Sequence, residues 1–346
     1  MIPLVRELQE MNQNVFIGGG DEQLSLFRSE LPGLSFIKFP GFKPGYSRFL
    51  PQYIPLLFKT PLLLYHIILE NYRLKKIISQ HNINIVISDN RFGLWNRKIK
   101  TVYVTHMPLV PLPRLFRSLE FIGIRLHRFI IKKYSFCYIP DLPGELNISG
   151  RLSHGIKLPV NVRYIGILSR FSDPEPSIKN DRKKSTYNTV ILSGPEPQRG
   201  ILKEKLVNLL KESKSKVVIL EGRPSENSEI IRSDDLTFYN HLTASEMKEI
   251  LSGSEYIIAR SGYSTIMDLI SLGCSALLIP TPGQPEQEYL AEYLAGKGWF
   301  SYVKQSGLGR GLQFPLTELK EQEKITEQSR ILLKAVLNEL LEEPYI

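Results

Sequence analysis

Short β-branched runs alternate with amphipathic helical patterns along most of the chain, which predicts an α/β fold built on parallel sheet. The first helix is expected at the very start, with Leu4, Leu8 and Met11 as its apolar stripe and Val5 beside them. A strand at Asn14–Ile17 follows and ends on Gly18-Gly19-Gly20. The pattern then predicts a long helix from about Pro61 to Gln80 and strands at Ile83–Ser88 and Thr101–Thr105. A basic helix from Leu115 to Tyr134 leads to strands at Phe136–Ile139 and Val162–Ile165.

The run from Ser169 to Asn188, SRFSDPEPSIKNDRKKSTYN, breaks this rhythm. It is polar and carries two prolines, so it reads as a linker. The alternation then resumes with strands at Thr189–Leu192, Lys216–Glu221, Tyr256–Ala259 and Ala276–Pro280. Between and after them the helical pattern falls on Gly200–Lys211, Ala244–Ser252, Ser264–Leu272 and Glu286–Gly296. A last helix runs from Leu316 to Glu343. The expected layout is a Rossmann-like domain over 1–168, a linker over 169–188, a second Rossmann-like domain over 189–315 and a C-terminal helix over 316–346. Doubly wound domains open with a strand whose following loop binds ligand. This chain opens inside a helix, so a first domain truncated at its start is expected.

Composition changes the picture little. The apolar share of 42% with 23% charged residues is that of a soluble globular protein. The excess of 44 Lys+Arg over 35 Asp+Glu leaves +9, which favours anionic partners without choosing among diphosphates, nucleic acid and acidic lipid. Cys137 and Cys274 stand alone in apolar runs, neither a disulfide framework nor a zinc site, so a reducing cytoplasm is the expected setting. The opening MIPLVRELQE lacks the basic-then-apolar order of a signal peptide. The apolar stretch Tyr53–Leu69 is about 17 residues long and is broken by Pro55, Lys59, Pro61 and His66. A spanning helix needs roughly 20 predominantly apolar residues, so this stretch reads as a core or membrane-surface helix.

Candidate chemistry collects where strands run into helices. Tyr256-Ile-Ile-Ala-Arg260-Ser261-Gly262-Tyr263-Ser264-Thr265-Ile-Met-Asp268 predicts a buried strand, a tight turn and a helix capped by Ser264 or Thr265. Unpaired N–H groups and the positive end of the helix dipole suit a phosphate, and Gly262 permits close approach. One turn on, Asp268 can accept from a ribose diol. Such a turn also occurs in α/β domains that bind nothing. Two further loops on the same sheet edge strengthen the reading: Ser193-Gly194-Pro-Glu-Pro-Gln-Arg199-Gly200, with Arg199 as counter-charge, and Thr281-Pro-Gly-Gln284-Pro-Glu-Gln287-Glu288-Tyr289, suited to sugar hydroxyls.

The run Arg260–Asp268, its spacing to Pro280, and Gln287-Glu288-Tyr289 resemble the C-terminal domain of the MurG-type N-acetylglucosaminyltransferases. The likeness covers about 188 to 300 well. Over the first half it is one of layout, with Ser88-Asp-Asn-Arg91, Thr105-His106 and Gly150-Arg-Leu-Ser-His154 similar to segments of related bacterial glycosyltransferases. The resemblance implies a GT-B-type fold of two facing Rossmann-like domains, with a UDP-sugar held in the second. It implies Ser261 and Gly262 at the diphosphate, Asp268 at the ribose, Gln287 at the donor sugar, and the backbone at Asn240-His241-Leu242 at the uracil. Glu288 stands where the family has a second Gln, which leaves the sugar open between an N-acetylhexosamine and a hexose. By this resemblance, the family's opening strand and Gly-rich loop with its His are expected to be missing from this chain.

No Asp-x-Asp pair is present, so a metal-independent, inverting transfer without cofactor is expected, with backbone amides and Arg260 or Arg199 stabilising the leaving diphosphate. The acceptor hydroxyl needs a general base. Asp89 and His106, each at the end of a first-domain strand, are the candidates, though a turn residue and a core histidine are their plainer readings. The basic helix carries Arg114, Arg117, Arg125, Arg128, Lys132 and Lys133 among Phe and Leu side chains and suits anionic lipid as well as a solvated face. The expected partners are therefore a UDP-sugar donor, a glycan or lipid-linked acceptor and a membrane surface, with the protein peripheral on the inner face of the plasma membrane. No nucleic-acid motif is present. A UDP-sugar 2-epimerase and a non-catalytic donor-binding subunit or remnant stay open as alternatives.

Overall fold

The computed structural model describes residues 1–42, 59–172, 187–211, 215–223, 230–309 and 319–342. Of the polar run read as a linker, 173–186 lie outside the described residues, as do 53–58 of the apolar stretch and the start of the expected last helix.

The first half opens with α1 (Ile2–Glu10), which buries Ile2, Leu4, Val5 and Leu8 along one face. β1 (Phe16–Gly19), α2 (Asp21–Glu30) and β2 (Ser35–Lys38) follow. β1 and β2 pair in parallel, Gly18 opposite Ile37 and Gly19 opposite Lys38. Gly18 and Gly19, which lie beyond the expected strand Asn14–Ile17, are thus strand, because main-chain pairing needs no side chain. α2 and β2 escaped the sequence pattern: α2 buries Leu24 alone and β2 has no fully buried residue.

α3 (Thr60–His81) ends on Asn82 in the left-handed region. A four-stranded parallel sheet is then built in order from β3 (Ile85–Asp89), β4 (Lys100–Val104), β5 (Phe136–Ile139) and β6 (Val162–Tyr164). The expected basic helix divides into a 3-10 turn at Arg114–Leu119 and α4 (Glu120–Ile131).

The second half forms one seven-stranded sheet. Its strands are β7 (Tyr187–Ile191), β8 (Lys216–Leu220), β9 (Ile230–Ser233), β10 (Leu236–Tyr239), β11 (Ile257–Ala259), β12 (Leu277–Leu278) and β13 (Ser301–Tyr302). They lie in the order β13-β12-β11-β7-β8-β10-β9, with β9 the single antiparallel edge. The helices are α5 (Gln198–Leu210), α6 (Ala244–Gly253), α7 (Tyr263–Ser271) and α8 (Pro285–Gly296). α5 buries Leu202, Leu206 and Leu210 at four-residue spacing. Thr243 and Glu246 close a capping box at the start of α6.

The last helix, α9 (Gln322–Glu342), returns to the first half. Tyr138 Oη donates to Val336 O at 3.2 Å, Arg163 pairs with Glu339 at 2.6 Å, and Ile167 N donates to Ser329 Oγ at 3.0 Å. Gly166, at φ +75°, lets the chain pass against this helix: a Cβ there would lie 2.3 Å from Ser329 Cα. One apolar cluster accordingly runs from Leu4, Val102 and Tyr138 through Ile266 to Leu337.

A loop of the first half also seats on α8. The buried carboxylate of Asp141 accepts from the amides of Leu142, Ile148 and Ser149 at 2.7–2.9 Å and so shapes the turn that follows. That turn presents Gly150 to Tyr289, whose Oη accepts from Arg151 N at 2.8 Å, while Tyr293 Oη donates to Asn147 Oδ1 at 2.7 Å. Gly150 has φ +51°, and a Cβ on it would sit 2.1 Å from Tyr289 Oη.

Candidate functional site

In a parallel sheet the open edge lies at the carboxyl ends of the strands. Here β7, β8 and β10 end around a cavity of about 200 Å³. Its wall comes from Ile191–Gly194 at the end of β7 and beyond, Leu220 and Gly222 at and beyond the end of β8, and Tyr239, His241 and Leu242 at and beyond the end of β10. Met247 of α6 and Thr265 of α7 complete the apolar and hydroxyl parts.

Two arginines, Arg170 and Arg199, are among the residues lining this cavity. Arg199 is fixed by Glu196 at 3.0 Å and by the carbonyl of Gly222 at 3.1 Å. Glu196 also accepts from Arg223 at 2.8 Å and from Gly200 N at 3.1 Å. Burial acts to raise the Glu196 carboxyl's pKa, but these donors outweigh it and hold it below the usual carboxylate range. Arg170 comes from the chain that crosses between the two sheets. Its Nε donates to Asp268 Oδ2 at 2.9 Å, and Asp268 Oδ1 accepts from Ser169 Oγ at 2.8 Å.

Gly194, Arg199, His241 and Thr265, all expected at the donor, line the cavity. Asp268 departs from its expected role: its buried carboxylate is taken by Ser169 and Arg170 rather than standing open for a ribose. Arg260 departs as well. Its guanidinium is buried and bonds the carbonyls of Ile279, Pro280 and Gln198, fastening the ends of β11 and β12 to the start of α5. Burial lowers its pKa to about 10, so it stays charged near neutrality. Ser261 donates to Gln287 O at 2.8 Å. The Gln287 amide accepts from Thr281 N and donates to Gln284, and Glu288 accepts from Gly283 N. These contacts hold the 281–288 loop in place. Gly262 is the N-cap of α7, and Ser264, in its first turn, is exposed.

On the first-domain side, Asp89 ends β3 and is exposed. His106, just beyond β4, reaches the second domain: its Nε2 lies 2.8 Å from Glu286 Oε1. Its ring stacks on Tyr263 at 4.2 Å between centroids and 16° between planes. α7 thus separates two features, with Tyr263 toward His106 and Thr265 toward the cavity. Arg170 and Glu286 were absent from the sequence expectation. The available signal for Arg170 was a charged residue two positions after the apolar run Ile165–Leu168.

Outside the cleft, the 3-10 turn and α4 expose Leu115, Phe121, Ile122, Leu126 and Phe129, and α3 exposes Leu62, Leu64, Tyr65, Ile68 and Tyr72. Among the described residues no helix is long and apolar enough to cross a membrane.

Residues 199–338 match the glycosyltransferase family 28 C-terminal domain. Curated relatives include two enzymes named UDP-N-acetylglucosamine--N-acetylmuramyl-(pentapeptide) pyrophosphoryl-undecaprenol N-acetylglucosamine transferase. The one from Pasteurella multocida is 23% identical over 145 residues, 40% of each chain. The one from Buchnera aphidicola subsp. Schizaphis graminum is 25% identical over 155 residues, 42% of this chain and 44% of the relative. The alignments thus cover less than half the length of these relatives. Similar solved structures include the glycosyltransferase SnogD from Streptomyces nogalater, at 12% identity and TM-score 0.59 over 97% of this chain and 94% of that one. The spinosyn rhamnosyltransferase SpnG complexed with thymidine diphosphate matches at 14% identity and TM-score 0.58, over 98% and 90%. At these identities the likeness establishes the fold, two facing Rossmann-like domains of the GT-B type.

Proposed function

From a second half that matches the glycosyltransferase family 28 C-terminal domain, we propose that the chain transfers a sugar from a UDP-sugar to a glycan or lipid-linked acceptor. The carrying observation is the cavity at the ends of β7, β8 and β10, with Arg170 and Arg199 on its wall and the first turn of α7 beside it. Two guanidinium groups and free helix-start amides offer charge-assisted donors to a diphosphate, and His241 and Leu242 offer a surface for the base. The MurG-type relatives are named for N-acetylglucosamine transfer, which makes an N-acetylhexosamine the first donor sugar to test.

In this reading the acceptor hydroxyl approaches from the first domain, where Asp89 or His106 takes its proton and transfer proceeds with inversion. Charge on the departing diphosphate is met by Arg170, Arg199 and the α7 amides, with no divalent ion. The exposed apolar side chains of α3, and those of α4 with Arg125, Arg128, Lys132 and Lys133 on or just after that helix, seat the protein on the anionic inner face of the plasma membrane, where a lipid-linked acceptor is presented.

An acceptor screen with radiolabelled UDP-sugars tests the proposal. Label moved to a glycan or lipid-linked acceptor, in EDTA as in buffer, is the expected result. Epimerised sugar with no acceptor product would overturn it in favour of a 2-epimerase. Binding of donor with no turnover by any acceptor would favour a non-catalytic donor-binding subunit.

A further inference from the structure

We propose that Glu286 is a positioning residue for His106: the second domain's carboxylate decides which nitrogen of the first domain's imidazole is free to take the acceptor's proton. This rests on the transferase reading above and makes the base dependent on the two domains facing each other.

Three constraints converge on the His106 ring. Its backbone is set by Thr105, whose N donates to Tyr138 O at 3.0 Å and whose Oγ1 accepts from Met107 N at 3.3 Å. Its plane is set by Tyr263, which stacks at 4.2 Å and is itself buried and anchored through Oη to Pro140 O at 2.9 Å. Its rotation within that plane is set by Glu286, 2.8 Å from Nε2. A neutral imidazole carries one N–H and one lone pair, and a carboxylate only accepts. The N–H is therefore placed on Nε2 and the lone pair on Nδ1.

Glu286 is well supplied for this task. It is the second residue of α8, after Pro285, where the helix dipole favours a carboxylate. His106 is its one hydrogen-bond partner among the described residues. The side chains of His106 and Glu286 are 23% and 29% exposed, so the pair opens on the cleft. The other histidine–carboxylate contact among the described residues, His154 with Asp141 at 3.2 Å, is different in kind. Asp141 is wholly buried and already holds three backbone amides, which is a structural duty.

In the step so organised, the acceptor oxygen bonds to the anomeric carbon and its proton passes to His106 Nδ1. The electron pair of the breaking carbon–oxygen bond leaves with the nucleoside diphosphate. Because Glu286 and His106 belong to different domains, the base is oriented when the cleft is closed and loses its orientation when the cleft opens.

The test uses the full chain labelled with ¹⁵N-histidine. Long-range ¹H–¹⁵N correlation is expected to show neutral His106 as the Nε2–H tautomer in the parent, and as a mixture in Glu286→Ala. Turnover of UDP-N-acetylglucosamine by Glu286→Ala should lose about 10- to 100-fold in kcat, the usual loss when an orienting partner is removed, with donor KM within about twofold. A parent His106 in the Nδ1–H form, a tautomer ratio unmoved by the substitution, or a loss confined to KM would overturn the proposal. A parent chain that binds no uridine diphosphate would instead sink the transferase reading, and the tautomer result would still decide the pairing.

Discussion

The carboxylate of Asp268 holds Arg170 by a 2.9 Å ion pair, so a helix of the second domain fixes a cation that comes from the segment crossing between the sheets. Ser169 adds a 2.8 Å bond to the same carboxylate. The mouth of the cavity is thus built by both halves of the chain. An acidic residue expected to meet ribose instead anchors a guanidinium at the cavity.

Asp268→Ala and Arg170→Ala should each weaken uridine diphosphate binding by about 1–3 kcal/mol, the usual cost of leaving a charged or polar partner unmatched. Because they share one interaction, the double variant should lose less than the two singles added. Calorimetry on the four proteins checks this. Full additivity would mean that each residue meets the ligand separately.

Gly150→Ala should lower the melting temperature and loosen the contact between the first-half loop and α8. The added Cβ would fall 2.1 Å from Tyr289 Oη at a residue with φ +51°. Alanine at such a position costs more than about 1 kcal/mol. A melting temperature equal to the parent's would show that the loop and α8 do not meet in this way.

His127 gives a pH signature. It is buried, its Nδ1 donates to Pro108 O at 3.1 Å, its Nε2 lies 2.9 Å from Tyr103 Oη, and burial lowers its pKa from 6.5 to about 4. The native state therefore binds fewer protons than the unfolded state between those values. Stability from this residue is full above pH 6.5 and is lost as pH falls toward 4, by about 3 kcal/mol in all. Carboxylates titrate in the same range, so the comparison is with His127→Gln, whose stability should fall less steeply between pH 6.5 and 4. Parallel curves would contradict the assignment.

Phe121 and Phe129 are exposed on α4 beside Arg125 and Arg128. Replacing both phenylalanines by Ser should cut binding to vesicles of phosphatidylglycerol and phosphatidylcholine by on the order of tenfold or more, since buried apolar area and anionic attraction both contribute. Raised salt should weaken the parent as well. Vesicle flotation reads both, and equal recovery of parent and variant would exclude this face.

Much of this was legible in the sequence, and the exceptions have physical causes. Strands β3, β4 and β11 announced themselves through nearly continuous apolar runs, as parallel strands do. α2 did not, because a helix that buries only Leu24 leaves no stripe to read. The short strands β2 and β9 are poor in buried positions and pair mainly through the backbone. Of the residues lining the cavity, Gly194, Arg199 and Thr265 stand in strand-to-helix segments that the sequence pattern singled out, and His241 in one that the family resemblance singled out. Arg260 could not, because its inward turn depends on the carbonyls of Ile279, Pro280 and Gln198, which other segments supply. The same holds for Arg170 and Glu286, whose partners lie 98 and 180 residues away.

The central claim is that the second-domain cavity grips a nucleoside diphosphate without a metal ion. Isothermal titration of the full chain with uridine diphosphate in EDTA tests it most directly, repeated with Arg199→Ala. The account predicts one site per chain in the parent and an affinity lower by about 1–3 kcal/mol in the variant. No heat of binding by the parent, or binding that appears only when magnesium or manganese is restored, would contradict it.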